Sequence, residues 1–253
     1  MSERTLFDIL LVSWFVLALV IFITLFFISA PYGRHARRGW GHAINSKLGW
    51  IIMEAPAPIV FFVFFVLGDN RITISMLVFL ALWLLHYIHR AFIYPFGLQT
   101  TANRIPVFII ASAILFNTAN GYLNSRYIFT FSAGYTNEWL TDPRFIAGFV
   151  LFLAGFAINR QADSTLRQLR QPDEYGYKVS NAGLFRWISC PNYLGEIMIW
   201  SGWALATWSL PGLAFAVWTF ANLAPRAWAH HLWYREQFSD YPQERKALLP
   251  KVW

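Results

Sequence analysis

The sequence predicts an all-α polytopic membrane protein with seven transmembrane helices, organised as one integral membrane domain over residues 1–253. Of its residues 57% are hydrophobic, 19% aromatic and only 13% charged, against about 25% charged in an ordinary soluble domain. Apolar runs near the roughly 20 residues that cross a hydrocarbon core divide almost the whole chain. Inside those runs polar residues return at four-residue steps, as in Asn159/Asp163/Arg167 and Arg226/His230/Tyr234. That step puts each set on one helical face, which a lipid-exposed helix does not tolerate and a bundle interior does.

The spans are placed at 6–30, 48–68, 73–96, 105–125, 143–161, 191–210 and 211–236. The first lacks a short apolar core followed by a small-residue cleavage site, so it reads as an uncleaved anchor. In the second, Pro56 and Pro58 kink or restart the helix and need neighbouring helices to satisfy the freed carbonyls, which leaves Glu54 beside irregular backbone. Ser209-Leu210-Pro211-Gly212 is a tight break between the last two spans. Cys190 is the only cysteine, so no intrachain disulfide forms.

Seven spans place all but four of the 20 basic residues on one side, the exceptions being Arg4, Arg71, Arg126 and Arg144. The positive-inside bias then puts the carboxyl terminus and the 160–190 loop in the cytoplasm. The formal charge of +7 is accounted for by this topology and by contact with anionic membrane lipids, not by nucleic acid. Nothing in the sequence marks an obligate protein partner. The 162–190 connection, with turns at Gln171-Pro172-Asp173-Glu174 and Asn181-Ala182-Gly183, is the longest polar stretch between later spans.

Asn159, Asp163, Arg167 and Arg170 share one face and carry an amide, a carboxylate and two guanidinium groups. A self-paired helix end is an equally good reading of that face alone. Asn192 and Glu196 share another, with Glu196 set among Leu194, Ile197 and Trp200, where solvent is excluded. Arg226, His230 and Tyr234 point three donors one way from the last span, and Trp228 and Trp233 read as an interfacial belt. His86 and His89 at helical spacing lack the third and fourth ligands of a metal site, so no metal is expected. No Walker motif, Rossmann glycine fingerprint or Gly-x-Ser-x-Gly elbow occurs.

From about residue 48 onward the chain resembles the membrane steroid 5α-reductases. The resemblance is carried by His86-Tyr87-Ile88-His89-Arg90, Asn120-Gly121, Asn159 through Asp163, Leu166-Arg167-Gln168-Leu169-Arg170 and Gly183-Leu184-Phe185. It continues through Asn192-Tyr193-Leu194-Gly195-Glu196, Ala204 through Pro211, Tyr241-Pro242 and Arg245-Lys246-Ala247-Leu248. It implies NADPH-dependent reduction of the C4–C5 double bond of a 3-oxo-Δ4-steroid or related lipid. Glu54 and Tyr87 match the family's carbonyl-binding pair. A carboxyl group in an apolar pocket keeps its proton and donates a hydrogen bond to an oxygen on which enolate charge builds. The same resemblance assigns Asn159, Asp163, Arg170, Tyr177, Lys178, Asn192, Glu196, Arg226, His230 and Tyr234 to the cofactor. Cations suit its phosphates, and amides and carboxylates suit its ribose hydroxyls and carboxamide.

Three departures qualify the match. Met53 stands where the family has a glutamine beside the catalytic glutamate, Lys178 replaces an arginine, and Ala229 and Leu232 shorten a histidine run. Alternative activities are another membrane lipid enone or enoyl reductase, or an S-adenosylmethionine-dependent membrane methyltransferase. Methyl transfer, however, has no use for an enone oxyanion site.

Overall fold

The computed structural model describes residues 1–28, 41–97, 104–169 and 177–253. Eight α-helices dominate these residues: α1 (Glu3–Phe27), α2 (Ser46–Glu54), α3 (Pro56–Val66), α4 (Ile74–Ile88), α5 (Val107–Arg126), α6 (Pro143–Gln168), α7 (Pro191–Thr207) and α8 (Leu210–Gln237). The named strands among them are two of three residues, β1 (Ala43–Asn45) and β2 (Arg104–Pro106), paired antiparallel. The all-α class therefore holds.

Among the described residues, five helical segments are long and apolar enough to cross a membrane: Glu3–Phe27, Ser46–Val66, Ile74–Gly97, Val107–Phe131 and Pro143–Gln168. They coincide with the first five expected spans. The last two expected spans also fold as helices, but neither meets the same measure. At 17 residues α7 is about 26 Å long, short of a hydrocarbon core about 30 Å thick. α8 has 28 residues, and its second half carries Arg226, His230, His231, Arg235 and Glu236.

The chain forms two compact units. The first holds α1, α6 from Ala147, α7 to Ala206, α8 from Gly212 and the residues beyond it. Apolar on every side, α1 buries only the stripe Phe7, Leu11, Trp14 and Ala18 and exposes Val12, Val16 and Leu19, as expected of a helix with lipid on one flank. Its stripe meets α8, where Trp218 donates through Nε1 to the Trp14 carbonyl at 2.7 Å and Phe220 stacks on Phe22.

Glycines bring α6 and α7 into backbone contact. A Cβ at Gly148 would run into the Ala206 nitrogen, one at Gly155 would lie 2.7 Å from the Gly195 carbonyl, and one at Gly202 2.5 Å from the Phe152 nitrogen. Small residues at seven-residue intervals thus form a continuous seam, the usual route to close helix association where lipid removes the hydrophobic drive. The segment after α8 then returns to the start of α7. The Ser189 and Cys190 amides donate to the carbonyls of Lys246 and Ala247, and the Lys246 amide to that of Trp187. Cys190 is buried there with Ala224, Ala227 and Leu248.

The second unit contains α2 to α5, the two strands and Thr207–Pro211. As the prolines foretell, α2 stops at Glu54 and α3 restarts at Pro56. Gly121 lets α5 approach α3 closely, since a Cβ there would meet the Val60 Cβ at 3.2 Å. The opposite end of the unit is tied by side chains to backbone. Thr73 caps α4 and donates to the Tyr135 carbonyl at 2.7 Å, Ser75 donates to that of Thr136 at 2.7 Å, and Tyr135 donates its hydroxyl to the Thr207 carbonyl at 2.8 Å. Nearby, Arg144 forks onto Asp142 at 2.9 and 2.8 Å, and its hydrogen bonds lower the Asp142 carboxyl to about 2. Tyr135→Phe is expected to cost about 1–2 kcal/mol by deleting a buried donor, measurable as a lower thermal unfolding midpoint in detergent.

Candidate functional site

In the second unit, Glu54 is the last residue of α2 and Tyr87 lies in the last turn of α4, with the tyrosine buried. Two cross-helix hydrogen bonds bracket them. Trp83, one turn before Tyr87, donates through Nε1 to the carbonyl of Ala57, three residues after Glu54, at 3.1 Å. Trp50, one turn before Glu54, donates to the carbonyl of Arg90, three residues after Tyr87, at 3.0 Å. Because the two segments run antiparallel, these bonds hold the carboxyl-bearing and phenol-bearing residues at the same level.

The side chains packed around Tyr87 are aromatic. Trp83 lies 5.0 Å from Tyr87 and stacks on Phe61 at 4.4 Å, and His86 meets the Tyr87 ring edge-on. Beyond Trp50, the Arg90 guanidinium sits 4.6 Å over the Trp50 ring and 4.9 Å over that of Tyr94.

The helix break at Glu54 is met from α5. Asn117 donates through Nδ2 to the Met53 carbonyl at 2.6 Å and to Glu54 Oε2 at 3.3 Å. Asn120 and Asn124 follow on the same buried face, and Asn124 donates to both the carbonyl and the Oδ1 of Asn120 at 3.1 Å. Sequence reasoning missed Asn117. The available signal was three asparagines at steps of three and four inside an apolar span.

In the first unit, Asn159, Asp163 and Glu196 are all buried. Asn159 donates through Nδ2 to the Asn192 carbonyl at 3.0 Å and to Glu196 Oε1 at 3.2 Å, so α6 and α7 share one polar cluster. The glycine seam makes this possible, since a Cβ at Gly195 would lie 2.6 Å from the Asn159 nitrogen. Arg226 and His230 of α8 join through Tyr193. Its hydroxyl is 3.3 Å from His230 Nε2, and the Arg226 guanidinium lies 5.5 Å from its ring centre.

Tyr177 meets Trp233 edge-on at 5.0 Å, Tyr234 is buried in a stack on Tyr241, and Lys178 is exposed. Arg170 lies outside the described residues. The adjacent histidines diverge, because His231 bonds Ser189 Oγ through Nδ1 at 2.7 Å while Ser189 also bonds the Tyr241 hydroxyl at 2.7 Å. Burial pushes the Tyr241 phenol up, and this sealed network is structural. The Arg245 guanidinium lies 4.8 Å over the Tyr241 ring and donates to Asn181 Oδ1 at 2.6 Å.

The donor set of the first unit fits a nicotinamide dinucleotide. Buried carboxylates and amides accept from and donate to ribose hydroxyls and a carboxamide, and Arg226 offers a cation for phosphate. Among the described residues no group of three or more metal-ligating side chains converges.

Comparison with known proteins gives concordant results. A family model described as 3-oxo-5-alpha-steroid 4-dehydrogenase matches residues 103–253. A protein of Gossypium hirsutum named steroid 5-alpha-reductase DET2 is 42% identical over 256 residues, covering 100% of this chain and 99% of its own length. The 3-oxo-5-alpha-steroid 4-dehydrogenase 1 of Bos taurus is 39% identical over 99% of this chain and 98% of its own length. That of Homo sapiens is 42% identical over 88% of this chain and 86% of its own length.

Gly195→Ala is expected to pry α6 from α7 and separate Asn159 from Glu196. The cost should be about 1–3 kcal/mol of stability, read as a lowered unfolding midpoint.

Proposed function

Because the chain belongs to the 3-oxo-5-alpha-steroid 4-dehydrogenase family, we propose that it reduces the C4–C5 double bond of 3-oxo-Δ4-steroids, using NADPH, to 5α-reduced products. The observation that carries this reading is the alignment of Glu54 with Tyr87 by the Trp83–Ala57 and Trp50–Arg90 hydrogen bonds. Residues 1–253 act as one membrane domain, with the carboxyl terminus and the 160–190 loop facing the cytoplasm. Membrane lipids are its surroundings and the source of its apolar substrate.

The bound cofactor supplies a hydride to C5. Glu54 and Tyr87 donate hydrogen bonds to the C3 oxygen, where negative charge accumulates as C5 is saturated. Donors fixed in advance and shielded from water stabilise that charge without reorganising during the reaction. Protonation at C4 completes the saturated ring. Asn159, Asp163, Asn192 and Glu196 engage ribose and carboxamide groups, while Arg170, Lys178 and Arg226 engage phosphates. Tyr177, His230 and Tyr234 complete the cofactor's surroundings.

Purified protein in detergent or lipid, given testosterone or progesterone with NADPH, is expected to yield a product heavier by two hydrogens and of 5α configuration. Methyl transfer, or an absence of NADPH oxidation, would overturn the assignment. Glu54→Gln and Tyr87→Phe should each lower kcat about 10²–10³-fold with little change in cofactor affinity. Asn192→Ala and Arg170→Ala should instead weaken NADPH binding about tenfold, or roughly 1.4 kcal/mol, as read by equilibrium titration.

A further inference from the structure

A glutamate at the end of a helix is poorly constrained. Its side chain has several rotatable bonds, and holding one rotamer costs conformational entropy. Glu54 occupies such a place, because α2 ends on it and α3 begins at Pro56. A carboxyl that must present one oxygen to a substrate there needs an external hold.

Asn117 has the geometry to provide it. The residue is buried on α5, one turn before the Gly121 contact with α3, so its backbone is anchored next to the helix break. Its amide orientation is also determined. Exchanging Oδ1 and Nδ2 would set two oxygen acceptors 2.6 Å apart at the Met53 carbonyl, which is repulsive. The second hydrogen on Nδ2 is then directed at Glu54 Oε2, 3.3 Å away. An N–H on Oε2 favours that oxygen as the carbonyl acceptor and Oε1 as the oxygen that carries a proton.

We propose that Asn117 is a positioning residue for the reaction: it clamps the Glu54 carboxyl through Oε2 so that Oε1 faces the substrate carbonyl as the donor. This rests on the reading of Glu54 given above. Asn117 touches neither substrate nor cofactor in this scheme and acts through Glu54 alone.

The test is a double-mutant cycle in the intact protein with testosterone and NADPH. Asn117→Ala is expected to lower kcat about tenfold or more while KM for the steroid and Kd for NADPH stay within about twofold. In a Glu54→Gln background the same substitution should change kcat by less than about twofold. Equal losses in the two backgrounds, or a loss confined to KM, would overturn the clamp. Should Glu54→Gln reduce the steroid at the wild-type rate, the role of Glu54 itself falls, which the cycle separates from failure of the clamp alone.

A measurement independent of turnover covers the case in which Asn117→Ala does not fold. The infrared carboxyl band that disappears in Glu54→Gln is expected to shift in Asn117→Gln, whose longer arm alters the bond while retaining an amide. An unshifted band would refute the contact.

Discussion

A polar group placed in hydrocarbon has to find its partner within the protein, and this requirement organises both units of the chain. At the proline break the Met53 carbonyl takes its hydrogen bond from a side chain on α5, and the Ala57 carbonyl takes one from Trp83 on α4. Each of these bonds also fixes a neighbouring helix in register. Glu54 and Tyr87 are therefore held in register by hydrogen bonds that reach the break from neighbouring helices.

The first unit meets the requirement by proximity. Two glycines on α6 and two on α7 remove the side chains that would hold the helices apart. The Asn159 amide then spans the crossing to the Asn192 carbonyl and the Glu196 carboxylate. Buried polar networks of this kind are stabilising only when their members are satisfied, and a seam with no room for lipid keeps competing partners out. Close packing and the polar cluster depend on each other here.

Much of this was legible in the sequence where the relevant signal is local. Long apolar runs located the helices, Pro56 and Pro58 marked the restart beside Glu54, and the four-residue steps placed Asn159 with Asp163 and Asn192 with Glu196. Features created by pairing across distance were not legible. Asn117 meets Glu54 from 63 residues away, and the asparagine spacing on α5 marks a polar face without naming the residue it meets. His230 and His231 look equivalent as neighbours, yet the roughly 100° of helical rotation between them sends one to Tyr193 and the other to Ser189. The seven-residue glycine spacing is visible in each helix separately, but its meaning as a seam emerges only when α6 and α7 are set together.

The burial of Cys190 has a practical consequence. The protein's single thiol is enclosed by Ala224, Ala227 and Leu248, with its amide paired to Ala247, so the folded chain already behaves as a background without reactive cysteine. Fluorophores or spin labels attached to introduced surface cysteines would report from their intended positions, and maleimide uptake at the native one would record how often the tail lifts away from α7.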